Sequence, residues 1–254
     1  MRSTRWTAAA LAAGLLTTLL AATAPSQAAG PAKAAGTPAV GECRQITLKQ
    51  AGAQSNTTAP IPCSQRHDVR TILVKDLPSG MTWDNLTAKQ VARLGLTECY
   101  PAMRHALGQA DTVRDRTMYG TFFFEPTQSQ RAAGANWIRC DLALFNRGAL
   151  ASLPTDRVPA LSSRKLPNSV ARCAAGPDSA LKYVVCATAH RYRAVGAFTV
   201  AKARYPGRAA LIRIGRHRCP HIVGRHRYFY SWSDKQLWNL VHDHTMVCYA
   251  QRSN

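Results

Sequence analysis

The chain is short of acid: 13 Asp and Glu stand against 33 Lys and Arg in 254 residues, a formal charge of +20. It lacks a second apolar run of membrane-spanning length after the N-terminus, which argues against an integral membrane protein. It has no Gly-x-Ser-x-Gly elbow, no His-Glu-x-x-His pair and no phosphate-cradling glycine loop. Hydrolases, metalloproteases and nucleotide binders that announce themselves by motif are therefore set aside. Collagen-like, coiled-coil and acidic-tail patterns are missing too, and no cofactor is expected. What is present is 46% hydrophobic residues, enough to bury a core, and eight cysteines. The length allows one large domain or two small ones.

The N-terminus reads as an address. Arg2 and Arg5 precede an apolar run from about Ala8 to Ala22, and Ser26-Gln27-Ala28 offers a small-residue cleavage site. An uncleaved anchor helix is the competing reading. The run is short and ends in Pro25, which favours a cleaved signal peptide over residues 1–28. Residues 29–39, mostly Ala, Gly and Pro, read as a flexible tether. The expected location is secreted or envelope-associated, outside the cytoplasm. That location decides how the cysteines are read. In cytosol, eight Cys and eight His would suggest zinc. In an oxidising compartment an even number of cysteines reads as disulfides, and no metal is expected.

The cysteines divide four and four: Cys43, Cys63, Cys99 and Cys140, then Cys173, Cys186, Cys219 and Cys248. Other residues keep step with them. Cys63-x-x-x-His67 matches Cys186-x-x-x-His190. Gly95 and Gly215 each lie four residues before the third cysteine, and Pro101 and Pro220 follow within two. Phe122-Phe123-Phe124 corresponds to Tyr228-Phe229-Tyr230, with Gln130 and Gln236 each six residues beyond. An internal repeat follows: a first module over 40–147 and a divergent, strongly basic second module over 170–254. Residues 148–169, with three prolines and several serines, read as a linker.

Within the modules, strands are predicted over Cys43–Leu48, Val69–Val74, Tyr183–Cys186 and Ala194–Val200, and closing strands over Asn136–Phe145 and His244–Ala250. Thr87-x-x-Gln90 is a capping box opening a helix through about Leu107. Val91, Gly95, Cys99, Ala102 and Met103 share one of its faces, repeated as Leu211, Gly215, Cys219, Ile222 and Val223. The proline after each helical cysteine is expected to kink or interrupt its helix. This placement suggests Cys99–Cys140 and Cys219–Cys248 as staples from helix to sheet, with Cys43–Cys63 and Cys173–Cys186 joining neighbouring strands. Four cysteines still allow three pairings per module. The fold class is α+β: two tandem disulfide-stapled modules, each a small antiparallel sheet with one packed helix.

The chain resembles the septum formation-related family of exported actinobacterial proteins. The residues that carry the likeness are Gly41-Glu42-Cys43, Pro62-Cys63-Ser64-Gln65-Arg66-His67-Asp68, Cys99, Phe124-Glu125-Pro126-Thr127 and Trp137-Ile138-Arg139-Cys140. It spans residues 40 to 145, and reaches the second module through Cys186 and His190. The resemblance implies an envelope protein linked to septum formation and brings no enzymatic reaction with it.

No constellation for catalysis stands out, so no enzyme is expected and no catalytic residue is assigned. Asp68 with Glu125 or Glu98 could be imagined as a glycosidase pair, but no spacing selects them. Cys63 with His67 looks like a thiol–imidazole pair, which oxidation would silence. His67 and His190 recur identically and are candidate ligand or pH-sensing positions; a partly buried ring with satisfied nitrogens is the plainer reading. On a strand, each would share a face with its cysteine. His217 and His221 join them as candidates on the second helix.

Charge says more. Residues 159–254 hold 16 basic and three acidic residues, and six of the eight histidines. Gly215-Arg216-His217-Arg218 recurs as Gly224-Arg225-His226-Arg227, just before Tyr228-Phe229-Tyr230. Arg213, Arg216, Arg218, Arg225 and Arg227 are the candidate anion-binding residues. The expected function is that of an exported, non-catalytic envelope-associated binding or scaffold protein. Its basic surface would meet anionic cell-wall polymer or a membrane surface, with an envelope protein as a further partner. The alternatives are a wall-modifying hydrolase and a protein-interaction module at the division site. Arginine beside aromatics also suits single-stranded nucleic acid, but export argues against that as the main role.

Overall fold

The computed structural model describes residues 36–155, 161 and 165–251. The expected signal peptide and most of the tether lie outside them. The first module runs β1 (Cys43–Arg44), α1 (Leu48–Ala51), β2 (Val69–Asp76), α2 (Ala88–Leu107), α3 (Asp111–Arg114), β3 (Tyr119–Phe124), α4 (Gln128–Ala132), β4 (Trp137–Asn146) and β5 (Ala149–Ala151). The second runs β6 (Arg172–Ala175), β7 (Lys182–Val185), β8 (Tyr192–Thr199), α5 (Arg208–Val223), β9 (Tyr228–Trp232), α6 (Lys235–Leu240) and β10 (Thr245–Gln251). The expected strand over Cys43–Leu48 stops at Arg44. Thr47 and Gln50 form a reciprocal capping box that turns the chain into α1 instead.

The two sheets share one plan, β1-β2-β4-β3 and β6-β8-β10-β9, with β5 added beside β4 and β7 beside β6. The repeat reaches the level of single partners. Cys43 lies opposite Arg70 and Cys173 opposite Arg193; three residues on, Leu73 faces Cys140 and Gly196 faces Cys248. Each ladder slips by one residue in between, leaving Ile72 and Val195 as bulges at equivalent places. On their other side the two strand cysteines face Phe123 and Tyr230. Even β7 has a counterpart, since Val184 pairs with Cys173 and Ile61 bridges Cys43. The disulfides join Cys43 to Cys63, Cys99 to Cys140, Cys173 to Cys186 and Cys219 to Cys248.

Each long helix lies on its sheet through the glycine one turn before its cysteine. A Cβ at Gly95 would sit 3.3 Å from the Phe123 side chain; one at Gly215 would sit 2.5 Å from the Tyr230 ring. Alanine gains roughly 1 kcal/mol over glycine in a helix, while overpacking a tight contact costs about 1–3 kcal/mol. Gly215→Ala is therefore expected to lower stability by about 1–2 kcal/mol, and Gly95→Ala to change it by less than about 0.5 kcal/mol. Urea unfolding of both variants checks this; equal effects would refute it. Neither proline interrupts its helix: α2 continues six residues past Pro101 and α5 three past Pro220. The disulfide beside each proline and the buried Met103, Leu107 and Val223 beyond it hold the chain in place. Ile222, expected on the inner face, is 38% exposed because it rides over the bulged part of β8 at Gly196.

The largest core cluster lies where the modules meet. Tyr100, Met103, Leu107, Leu142 and Leu144 of the first module pack with Val170, Cys173, Val184, Val185 and Val241 of the second. The expected linker belongs to this seam. Its first residues form β5, and its Leu153, Leu161 and Leu166 are buried in the shared core. A bridge between Thr117 and Ala171 and a backbone bond from Met118 N–H to Val170 C=O stitch the two sheets.

Candidate functional site

The second module presents its cations on α5 and the turn that follows. Leu211, Gly215, Cys219 and Val223, four residues apart, take the inner face. Arg213, Arg216, His217, Arg218 and His221 are left exposed, as are Arg225, His226 and Arg227 after the helix. Arg213, Arg216 and Arg225 make no ion pair or side-chain hydrogen bond among the described residues. Arg218 lies 3.9 Å above the Phe198 ring and donates to Thr199 C=O. Arg227 is 3.8 Å from Asp178, which also meets Arg191 at 3.2 Å. No Asp or Glu occurs from Ser179 to Ser233.

The recurring histidines sit in the loops that lead into β2 and β8, not on strands, so the shared-face geometry expected of a strand does not apply. His67 is buried and its Nδ1 meets Gln65 C=O at 2.8 Å; His190 Nδ1 meets Thr188 C=O at the same distance. Nε2 of both rings is buried without a hydrogen-bond partner among the described residues, so only one nitrogen of each is satisfied. Near His190 the Cys173 and Cys186 sulfurs fall within 4.8 Å of the ring nitrogen, a cluster of metal-site dimensions. Both sulfurs are in a disulfide, however, and offer no thiolate. His217 and His221 stack edgewise on the exposed face of α5, 6.0 Å between ring centres.

The motif residues that carry the family likeness do structural work. Glu42 pairs with Arg44, whose Nη1 donates to Thr71, and Thr71 in turn donates to the buried Asp141. Arg139 lies 3.3 Å from Asp141 and over the Phe124 ring, and binds Asn56 C=O. Asp68 accepts from Ile46 N–H, Glu98 pairs with Lys75, and Glu125 pairs with Arg131 at 2.7 Å. None of the three carboxylates considered as a glycosidase pair is spare.

A polar cluster that no sequence spacing marks lies in a cleft of about 480 Å³ along the seam. Tyr100 from α2 and Ser233 both donate to Asp243 Oδ2, while Thr245 N–H donates to Oδ1 at 3.1 Å. Asp115, just past α3, lines the same cleft from the first module. Burial, then the Asp243 charge, pushes the Asp115 carboxyl up to about 8, so it holds its proton at neutral pH. Asp243 moves the other way. Burial opposes its charge, but the bonds from Ser233, Tyr100 and Thr245 outweigh that and lower it. Burial and the two acids raise the Tyr100 phenol far above its ordinary range, so it stays a donor. Asp115 and Asp243 are 128 positions apart, and only the packing of one module on the other brings them together.

The architecture is that of a two-module, disulfide-stapled α+β protein whose sheets repeat one topology. The chain belongs to the septum formation family, whose model matches residues 16–124 and 83–243. Family membership gives it a division-related role. Neither the curated proteins nor the solved structures yield a match.

Proposed function

We propose that this chain is an exported, non-catalytic protein of the cell envelope that serves septum formation by holding anionic wall polymer on the exposed cations of its second module. The observation that carries this reading is the acid-free stretch from Ser179 to Ser233, from which Arg213, Arg216 and Arg225 project without ion-pair partners among the described residues. Such a face attracts phosphate-bearing polymers over a range set by salt, about 10 Å at 0.1 M. Four disulfides support a location outside the reducing compartment. No helix among the described residues is long and apolar enough to cross a membrane. The protein should stay on isolated cell walls at about 0.05 M salt and leave by about 0.3 M, where screening shortens that range below 6 Å. Replacing Arg213, Arg216 and Arg225 together by Ala should move release to lower salt. Retention that ignores salt would overturn the electrostatic reading, and release of soluble wall fragments would overturn the non-catalytic one.

A further inference from the structure

Beside the acidic cleft, the seam opens into a second cavity of about 590 Å³ between the β4–β5 turn, β6 and β7. Its lining includes Tyr119, Phe145, Arg147, Arg172, Lys182 and Tyr183, and holds no carboxylate. Arg172 is already engaged: its Nε donates to Thr117 C=O at 2.8 Å and its guanidinium lies over the Tyr183 ring. Arg147 and Lys182 are exposed, and neither side chain has an ion-pair or hydrogen-bond partner among the described residues. Two unpaired cations from different modules thus flank one aromatic-walled hollow.

The backbone beneath Arg147 is a second, independent sign. Asn146 pairs with Ala149, so Arg147 and Gly148 are the two central residues of a tight hairpin. Their φ angles are +49° and +74°. Two positive values are the pattern of a type I′ turn, which favours Asn, Asp or Gly at its first central position. An arginine there adopts a conformation its side chain disfavours. Local turn chemistry is broken at the residue that lines the cavity, as happens where function overrides propensity.

We propose that this cavity binds a phosphate ester, with Arg147 and Lys182 taking the oxyanion and Phe145 and Tyr183 flanking the body. The guanidinium fork and the ammonium together suit a phosphate group. The site deepens the polymer-binding reading and rests on it for the choice of phosphate over other oxyanions. It would seat one repeat unit while the α5 face holds the polymer at large.

The test is calorimetric titration of the oxidised chain with sn-glycerol 3-phosphate, with glycerol as the uncharged control. Saturable binding at millimolar concentration or below is expected, and none with glycerol. Arg147→Gly and Lys182→Met should each weaken binding by about tenfold, the scale of one charge-assisted hydrogen bond. Arg147→Gly should keep or raise the melting temperature, because glycine is the residue this turn prefers. Absent saturation, equal binding of glycerol, or affinity unchanged in Arg147→Gly and Lys182→Met would overturn the site. If those variants bind normally while wall retention stays salt-sensitive, only the cavity proposal falls. If the cavity binds as stated while retention ignores salt, the polymer reading falls alone.

Discussion

Reducing all four disulfides should unfold the protein. The bridges span 20, 41, 13 and 29 residues of sequence. Loop-closure entropy assigns each about 3–4 kcal/mol of stabilisation, on the order of 10 kcal/mol or more together. That equals the whole net stability of an ordinary domain, about 5–15 kcal/mol. Every cysteine but Cys63 is buried, so reductant should act slowly on the native state and quickly once urea opens it. Trp83, Trp137 and Trp238 are buried reporters of the transition. Their emission should shift to longer wavelength in reductant at 37 °C, and the double variant Cys99→Ala with Cys140→Ala should lose about 4 kcal/mol in urea, the longest loop losing most. Oxidised and reduced protein unfolding at the same urea concentration would refute the staple role.

Stability should also fall as pH rises between about 4 and about 8, through Asp115. Its carboxyl is raised to about 8 in the folded protein by burial and by Asp243, against roughly 4 in an unfolded chain. The folded state therefore holds a proton that the unfolded state releases. The stability this supplies is complete below about pH 4 and is lost as pH climbs through about 8, at up to about 1.4 kcal/mol per pH unit. Asp243 has the opposite sign: lowered in the fold, it supplies stability above about pH 4 that is lost only on further acidification. Asp115→Asn removes the first titration. It should be more stable than the parent at pH 8.5, and its urea midpoint should change less between pH 5 and pH 8.5. A parent protein with one midpoint at both pH values, or a variant that keeps the full drop, would sink this assignment.

Much of the architecture could be read from the chain because the repeat is written in residues that geometry constrains. Cysteine, helical glycine and strand aromatic recur at fixed offsets, and Gly95 meets Phe123 just as Gly215 meets Tyr230. Strands β2, β4, β8 and β10 follow from alternating or continuous apolar runs, whereas β5 and β6 carry no such run and were not expected. What escaped depends on contacts distant in sequence. Pattern in residues 148–169 is weak, yet Leu153, Leu161 and Leu166 are core residues because a module lies on either side of them. Asp115, Arg172 and Asp243 carry no motif, and the seam makes them a cluster. The family motifs point to Glu42, Asp68, Glu125 and Arg139, all absorbed in holding the first module together. A motif search therefore finds the scaffold and passes over the cavities.

The matching ladders imply that one module was once copied, yet the largest core lies at the join and not inside either copy. The unit of ancestry and the unit of folding have parted. A half-length chain cut at the repeat boundary would turn Tyr100, Met103, Leu142 and Leu144 out to water, a sticky surface with no partner. Such a fragment has every bridge it needs and still lacks half of its interior. The pair, and not either copy alone, is what closes this core.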